Sequence, residues 1–404
     1  MDFGITSLIL DGSNGTKTYA GLSTEEAPSL IISNDYKKLD DGISFERIDS
    51  SPYGEIFTMY NDGLIYNWDA LEEQWKFIYE KHYKLESKEM PLILTENHWN
   101  SKKNQVNTCQ LAFEKFEVPV FSMLNSQSCT SYGTGRATSL IIDLNDAFIS
   151  VTPIVNGSIM TKGAIHNKFG GDFLNLHTLR YLQRKSGDEI DIEEQIASQG
   201  GNATTLSSVK AYRVNRFLKQ FRRNIGSMSQ YILPPVVEGL SSDYHLTAKD
   251  YLINGFVVKD INPLDQCQMV EPLMQPFSYT NAFHPNISVS QENTYGLSEL
   301  VLNSLKKLET TQNVYQALLK GIVITGENSF IPGLEQRLIN DLVKILSNYT
   351  IETYSNVNLD ERNLATWNGA LILSSMNSGN FDNIFISKKE YEEFGENAVL
   401  EKFK

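Results

Sequence analysis

Two short segments of this 404-residue chain share one pattern, and that pattern constrains the fold more than any other feature of the sequence. The apolar run Ile5 to Leu10 reaches Asp11, passes through the turn formers Gly12-Ser13-Asn14-Gly15-Thr16, and resumes as an extended run from Lys17 to Leu22. Ser139-Leu140-Ile141-Ile142 likewise reaches Asp143, passes through Leu144-Asn145-Asp146, and resumes as Ala147 to Pro153. Each reads as a β-hairpin whose first strand ends on an aspartate. The two aspartates lie 132 residues apart, too long a period for a short-repeat array and suited to a duplicated domain. Two unrelated hairpins of one α/β protein would look the same, so these segments alone leave both readings open.

Between and after the hairpins, strand and helix patterns alternate. Asp35 to Asp62, rich in Asp, Ser and Gly, reads as a small excursion with short strands. Asn67 is placed to cap a helix that carries Leu71, Trp75, Ile78, Tyr79 and His82 on one face, with Asp69 in its positively polarised first turn. Pro91 to Thr95 and Val118 to Phe121 read as buried strands, and Asn104 to Phe116 between them as a helix turning Val106, Cys109, Phe113 and Phe116 inward. In the second half, Ile154 to Ile165 reads as a hairpin, the helix after Gly170-Gly171 runs through Leu182, and Gln183 to Thr205 is a loop or short outer helix. Val209 to Ile225 is helical, whereas Pro234 to Ser290 shows no period. Gly321 to Thr325 is a strand; Leu334, Leu338, Leu342 and Ile345 mark a helix with Pro332 near its first position, and Ser387 to Tyr391 starts a terminal one. This alternation predicts an α/β fold with helices on the faces of its sheets.

Length and charge narrow what such a fold does. At roughly 150 residues per domain the chain makes two or three packed units. Its 35 basic and 49 acidic residues give a net charge of −14, and its one basic run, Arg216 to Arg223, is short. Direct nucleic-acid binding needs a basic surface, so nucleic acid is not expected as a ligand. Cys109, Cys129 and Cys267 stand far apart, and the six histidines never fall at ligand spacing, so neither a metal site nor a disulfide framework is expected. No apolar run approaches about 18 residues. Met1-Asp2-Phe3-Gly4 carries no basic flank or apolar h-region, so a soluble intracellular protein with no membrane partner is expected.

Taken in order, the segments resemble the actin family. Ala20-Gly21-Leu22 with Ala27-Pro28 looks like its first phosphate loop, and Tyr66-Asn67-Trp68-Asp69 with Trp75 like the helix after its small outer subdomain. Gly135-Arg136-Ala137-Thr138, leading to Asp143, Pro153-Ile154 and Gly157, looks like the second phosphate segment. Ile324-Thr325-Gly326 with Pro332 to Arg337 looks like the adenosine segment, and Trp367-Asn368-Gly369-Ala370 with Ile386 to Tyr391 like the C-terminal part. The matches span nearly the whole chain, with 183–320 the weakest stretch. The resemblance implies an α/β, actin-like fold, a duplicated RNase H-like ATPase architecture with two lobes around a central cleft. Residues 1–139 and 361–404 would form the large lobe, with a small outer subdomain at about 35–66. Residues 140–360 would form the second lobe, with its outer subdomain at about 183–290.

Two stretches, Gly63 to Trp75 and Val151 to Ile154 followed by Lys168 to Leu174, are similar to fungal actin-related subunits of the SWI/SNF and RSC chromatin remodellers. That likeness implies a nuclear subunit that forms a heterodimer with a second, divergent actin-related protein. The pair would sit on the HSA helix of a SWI/SNF-type ATPase, among other remodeller subunits. By resemblance the groove for a partner helix lies between the inner subdomains and is lined by Tyr132, Gly135, Ala137, Gly157, Leu373 and Met376.

In actin-type folds the two hairpin turns offer backbone N–H groups to phosphates, and glycines let the backbone come close. The resemblance places Asp11, Gly12, Ser13, Asp143, Asp146, Lys219, Arg222 and Gly326 around a nucleotide. Several positions depart from the pattern. Tyr19 stands where the phosphate-binding Lys belongs, with Lys17 nearby as a stand-in, and Asn145 and Ala147 replace glycines of the second turn. Ser126 replaces a catalytic Gln, with Gln127 one place out of register, and Ser150 replaces a His. Glu327 replaces the second Gly of the adenosine segment, and Asn363 a Lys beside the base. The expectation is a vestigial cleft with no catalytic residue, no metal and no required cofactor; ATP binding without hydrolysis stays as an alternative. Asp143 is expected to accept turn N–H bonds, and Cys129 and Trp367 to be core. The rival readings are an actin-like ATPase or sugar kinase, which needs intact phosphate loops, and a cytoskeletal filament former, which the short excursion at Asp35 to Asp62 disfavours.

Overall fold

The first hairpin forms as its alternation requires: β1 (Leu8–Asp11) pairs antiparallel with β2 (Lys17–Leu22), Leu10 opposite Ala20. The structure, a computed structural model, describes residues 6–40, 42–46, 48, 54–187, 191–198, 206–236, 247–253, 255–375 and 384–403. β3 (Leu30–Ser33) extends the meander, and β4 (Asp35–Leu39), β5 (Gly42–Ser44) and β6 (Glu55–Thr58) form a separate outer sheet. β7 (Tyr60–Asn61) and β8 (Leu64–Ile65) make a hairpin through Asp62 and Gly63, both in the left-handed region at φ 55° and 70°. α1 (Trp68–Lys76) opens on Asn67, whose Oδ1 accepts the Ala70 N–H at 2.9 Å. Past Lys76 the helix widens into a π-helix over Phe77–Tyr83. Trp75, Ile78 and Tyr79 stay buried, but the wider turn carries His82 out to solvent, against the periodic reading. β9 (Leu92–Glu96) and β10 (Val120–Asn125) add parallel to β1, joined through α2 (Lys102–Gln110) and a further π-helix, Leu111–Lys115. α2 begins before the expected Asn104 because Ser101 caps it, its Oγ accepting the Asn104 N–H. α3 (Ser126–Gly133) follows directly on β10.

β11 (Ser139–Leu144) and β12 (Ile149–Val155) repeat the opening hairpin, with Asp143 opposite Ser150. β13 (Ser158–Ile159) and β14 (Ile165–Asn167) both pair with β12. Helices α4 (Gly171–Ser186), α5 (Ile192–Ser198) and α6 (Ser207–Ile225) come next. The aperiodic stretch after them holds a hairpin, β15 (Lys249–Ile253) with β16 (Phe256–Ile261), and two short helices begun by prolines, α7 (Pro263–Gln268) and α8 (Pro276–Phe283). α9 (Leu297–Lys306) and α10 (Gln312–Leu319) lead into β17 (Ile322–Thr325), which lies parallel to β11 as β9 lies parallel to β1. α11 (Leu334–Ile345) starts after Gly333, at φ 83°, so Pro332 lies just outside it. Leu334, Leu338 and Leu342 are buried on its i, i+4 stripe; Ile345 falls off that stripe and is 60% exposed, with Leu346 packing in its place. β18 (Thr353–Tyr354) ends the second sheet, whose order is β13-β12-β11-β17-β18.

The chain then returns to the first sheet through α12 (Leu359–Asn363) and α13 (Ala365–Ser375). α13 crosses α3 at two glycines: a Cβ on Gly369 would lie 1.7 Å from the Cys129 carbonyl oxygen, and one on Gly133 2.0 Å from that of Ala365. β19 (Phe385–Ser387) pairs antiparallel with β10, giving the order β19-β10-β9-β1-β2-β3, and α14 (Lys388–Phe394) and α15 (Glu396–Lys402) close the chain. Each sheet has its own core, one around Leu8, Trp75 and Phe121, the other around Ile142, Phe217 and Leu338. Cys129 and Trp367 are fully buried in a third cluster beside the first sheet, the indole N–H donating to the Ile9 carbonyl at 3.4 Å. The result is an α/β fold of two lobes, each built on a hairpin that ends in an aspartate turn, around a central cleft. No helix among the described residues is long and apolar enough to cross a membrane.

Candidate functional site

The first turn satisfies its own polar groups. Asp11, 3% exposed, accepts the Ser13 N–H (3.2 Å), the Ser13 hydroxyl (2.7 Å) and the Thr95 hydroxyl (2.5 Å). Burial nonetheless raises its carboxyl above the usual range, the three hydrogen bonds working against that. Gly12 has no room for a side chain, since a Cβ there would lie 2.4 Å from the Tyr60 hydroxyl. Asn14 then takes the amides that such a turn would aim at a ligand: its Oδ1 accepts the Thr16 N–H at 2.8 Å and the Lys17 N–H at 2.9 Å. The Gly15 N–H goes to the Gly12 carbonyl at 3.0 Å.

The second turn is closed by the helix beneath it. The Gly171 N–H, at the start of α4, donates to the Asn145 carbonyl (3.0 Å) and the Asp172 N–H to that of Asp146 (2.9 Å), using amides the helix N-terminus would leave open. Asp143 does not take up the expected role as acceptor for the turn, because the Asn145 N–H donates to the Phe148 carbonyl at 3.0 Å. Its carboxyl is pushed up to about 7, chiefly by burial, with the Asn145 side chain beside it lowering it and the Asp11 charge adding to the rise. Asp146 differs. It is 4% exposed, lies against the Lys219 ammonium, accepts Asn328 Nδ2 at 3.0 Å and has Arg222 Nη2 at 3.8 Å. Burial opposes its charge, yet Lys219 and Arg222 hold its carboxyl well below the usual range.

Glu327 completes the cluster. It follows Gly326, where a Cβ would lie 2.5 Å from the Leu144 carbonyl oxygen and where φ is 88°, so this turn presses directly on the second one. Glu327 is 4% exposed and meets Lys219, Arg223 Nη2 at 2.8 Å and, from β2 in the other lobe, Lys17 Nζ at 3.5 Å. Burial disfavours the Lys219 ammonium, but Asp146 and Glu327 raise its pKa. Arg222 is buried and donates Nη1 to Asn328 Oδ1 at 2.6 Å and Nε to Asn175 Oδ1 at 3.3 Å. Tyr19 lies close enough that burial and the Glu327 charge both drive its hydroxyl pKa up. The structure thus gathers Asp11, Gly12 and Ser13 on one wall of the cleft and Asp143, Asp146, Lys219, Arg222 and Gly326 on the other. The nearby cations hold carboxylates or amide oxygens and the Thr16 and Lys17 amides of the first turn face Asn14, so a polyphosphate here would compete with protein groups for them. Among the described residues no group of His, Cys, Asp or Glu is placed to hold a metal ion.

Ser126 and Gln127 converge on Asn97, a residue that sequence reasoning missed. Asn97 Oδ1 accepts Ser126 Oγ (3.0 Å) and Gln127 Nε2 (2.9 Å), while its Nδ2 donates to the Ser13 and Gly63 carbonyls at 2.8 Å each. A lone Asn just past a strand carries no periodic signal. The contact between the lobes was equally hidden. Trp99 stacks on His166 (centroids 4.2 Å apart, 11° between planes), meets Phe148 edge-on at 4.8 Å, and donates its indole N–H to the Asp62 carbonyl at 3.0 Å. The Asp62 carboxylate faces His166 Nε2 at 3.4 Å and Lys168 Nζ at 3.6 Å. Farther out, the Ile56 N–H donates to Ser208 Oγ at 3.2 Å, and Ile48 and Ile56 pack on Val209 of α6, so the outer parts meet over the cleft. The Ser150 hydroxyl is buried with no protein partner.

Of the groove residues, four come together: the Gly135 N–H donates to the Tyr132 carbonyl (2.9 Å), the Gly157 N–H to that of Ala137 (2.7 Å), and a Cβ on Gly157 would lie 2.4 Å from the Tyr132 hydroxyl. Gly135 and Ala137 are exposed. Leu373 stands on the last turn of α13, packed against the cluster around Trp367, and its neighbour Ile372 is 38% exposed. Met376 lies outside the described residues.

Comparison with known proteins agrees with this architecture. Actin-related protein 7 of Saccharomyces cerevisiae is 26% identical over 95% of this chain and 95% of its own length. The SWI/SNF and RSC complexes subunit arp42 of Schizosaccharomyces pombe is 26% identical over 98% of each chain. Actin-related protein 4 of Yarrowia lipolytica is 24% identical over 98% of this chain and 96% of its own. The sequence profile of the actin family, described as Actin, matches residues 4–404, so the paired aspartate turns, the two sheets and the cleft between them are those of a protein that belongs to the actin family.

Proposed function

We propose that this chain is a non-catalytic, nuclear actin-fold subunit of an ATP-dependent chromatin-remodelling complex of the SWI/SNF or RSC type. It pairs with a second, divergent actin-related protein, and together they bind the HSA helix of the remodeller ATPase. The observation that carries the assignment is the near-full-length likeness to a SWI/SNF and RSC subunit, arp42. Its non-catalytic character is supported by the cleft, where Lys219 lies between Asp146 and Glu327 and Gln127 is tied to Asn97. The groove by Tyr132, Gly135, Ala137 and Gly157, with Leu373 on α13, offers small and apolar surface to a helix. A net charge of −14 favours a basic helical partner and disfavours DNA as a direct one.

The test is capture of the isolated HSA segment by the purified chain, alone and with the second actin-related protein. A ternary complex that is weakened at least tenfold by Leu373→Ala is the expected result; absence of any ternary complex overturns the reading. Metal-dependent ATP turnover by the purified chain would instead favour an actin-like ATPase.

A further inference from the structure

We infer that Glu327 is a built-in counter-anion: its carboxylate occupies the cation set between the two aspartate turns and ties the lobes together, so that the protein closes its own cleft without a bound polyanion. The inference rests on the reading of this cleft as non-catalytic and says what replaces the ligand. Three cations converge on one carboxylate. Lys219 and Arg223 reach it from α6, and Lys17 reaches it across the cleft from β2 at 3.5 Å. Lys219 is shared with Asp146, which is itself held by Asn328 and neighboured by Arg222. Glu327 is 4% exposed, so its carboxylate stripped of these cations would be a buried, uncompensated charge, whereas Lys17 and Arg223 stay partly in water at 44% and 34%.

Position makes this more than an ordinary buried ion pair. Glu327 is delivered by a turn whose Gly326 packs against the Leu144 backbone, so its side chain starts within the second aspartate turn's own wall. The cations it collects come from both lobes. An incoming polyphosphate would have to displace Glu327 from Lys219, Arg223 and Lys17 while leaving its charge in the interior. On the first turn, Asn14 makes the matching substitution for the backbone, its Oδ1 taking the Thr16 and Lys17 amides. One side-chain oxygen set thus stands in for a ligand's on each wall.

The prediction that separates this from a merely structural salt bridge is anion rescue. Glu327→Gln keeps the shape and removes the charge, leaving Lys17, Lys219 and Arg223 with Asp146 alone, a site with positive excess. Inorganic tripolyphosphate, at about 5 mM, is the probe. For the wild-type chain, Tm should not respond to it. Glu327→Gln should melt roughly 5 °C lower, and tripolyphosphate should restore at least half of that loss, whereas Glu327→Asp, which keeps the charge, should stay unresponsive. A Glu327→Gln chain that melts with the wild type, or a tripolyphosphate response equal in both, overturns the inference. Should Glu327→Gln fail to fold, Lys17→Gln tests the link between lobes: amide exchange at residues 11–17 and 326–329 should quicken at nearly unchanged Tm, and unchanged exchange overturns the inference. Neither result depends on capture of the HSA helix. Loss of that capture by the wild type would strike the proposed function alone, and loss of anion rescue would strike the counter-anion alone.

Discussion

Lys17 and Glu327 face each other at 3.5 Å from opposite lobes, one 44% exposed and the other 4%. Their exposures set very different costs for losing each side of the network. Lys17 is nearly half exposed and its charge is solvated, so Lys17→Ala should cost less than about 1 kcal/mol. Lys219 is the shared partner of two buried carboxylates, and Lys219→Met would leave Asp146 with Arg222, and Glu327 with Arg223 and the half-exposed Lys17. That loss should be about 3 kcal/mol, at the low end for a broken buried pair because these arginines remain. Urea unfolding midpoints measure both; equal losses would mean that the network does not behave as a buried one.

Asp143 makes a pH-dependent prediction of unusual sign. Its carboxyl titrates at about 7 in the fold, against an ordinary value of 3.8. The folded state therefore holds the proton more tightly than the unfolded chain, so stability falls as pH rises from about 4 to about 7 and stays reduced above that range. Asp143→Asn removes the penalty. The variant should gain about 2 kcal/mol at pH 8 and nothing near pH 4, the full shift being discounted because the buried carboxyl keeps some solvent exposure. Melting both proteins at the two pH values decides it: a gain of the same size at each would locate the effect in packing and not in the proton.

Asn97 spends all four of its hydrogen-bonding positions on two lobe-one strand ends and the β7–β8 tip. Asn97→Leu preserves its size but leaves the Ser13 and Gly63 carbonyls and the Ser126 and Gln127 side chains without that partner. A loss of roughly 3 kcal/mol is expected, since buried groups stripped of one partner carry most of the cost. Faster amide exchange in the Asp11 turn and around Gly63 should accompany it, and an unchanged exchange pattern would show that Asn97 only fills space.

These predictions divide along the line between what was legible in the sequence and what was not. The Asp11 and Asp143 hairpins were readable because alternation and turn formers are local properties, and the helix after Asn67 because its cap and apolar stripe lie within a few turns. His82 was misplaced because a π-helix breaks the period that the stripe assumes. Pro332 was read as lying near the first position of α11 because a proline is familiar there; it sits just before the cap, which is Gly333 at φ 83°. At the cleft the sequence exposed the substitutions themselves, Glu327 for glycine and Asn145 and Ala147 for two more. It could not show that Glu327 collects Lys17 across roughly three hundred residues of chain, nor that Asn97 would gather both Ser126 and Gln127. Those are relations of distance, and no spacing along the chain encodes them.

The crossing of α3 and α13 links stability to the proposed groove. A Cβ on Gly369 would lie 1.7 Å from the Cys129 carbonyl oxygen, an approach only relief by movement of a whole helix can resolve. Gly369→Ala must therefore push α13 away from α3. Tyr132 sits on the last turn of α3 and Leu373 on the last turn of α13, so the same displacement spreads the two groove walls that these residues supply. A destabilisation of about 3 kcal/mol is expected, together with at least a tenfold weaker capture of the HSA helix at temperatures where the variant is still folded. Leu373→Ala should show the reverse balance, with a stability loss nearer 1 kcal/mol and a comparable loss of capture. If Gly369→Ala lost stability while still capturing the helix at wild-type strength, the partner would have to lie on a surface that does not depend on how α3 and α13 are spaced.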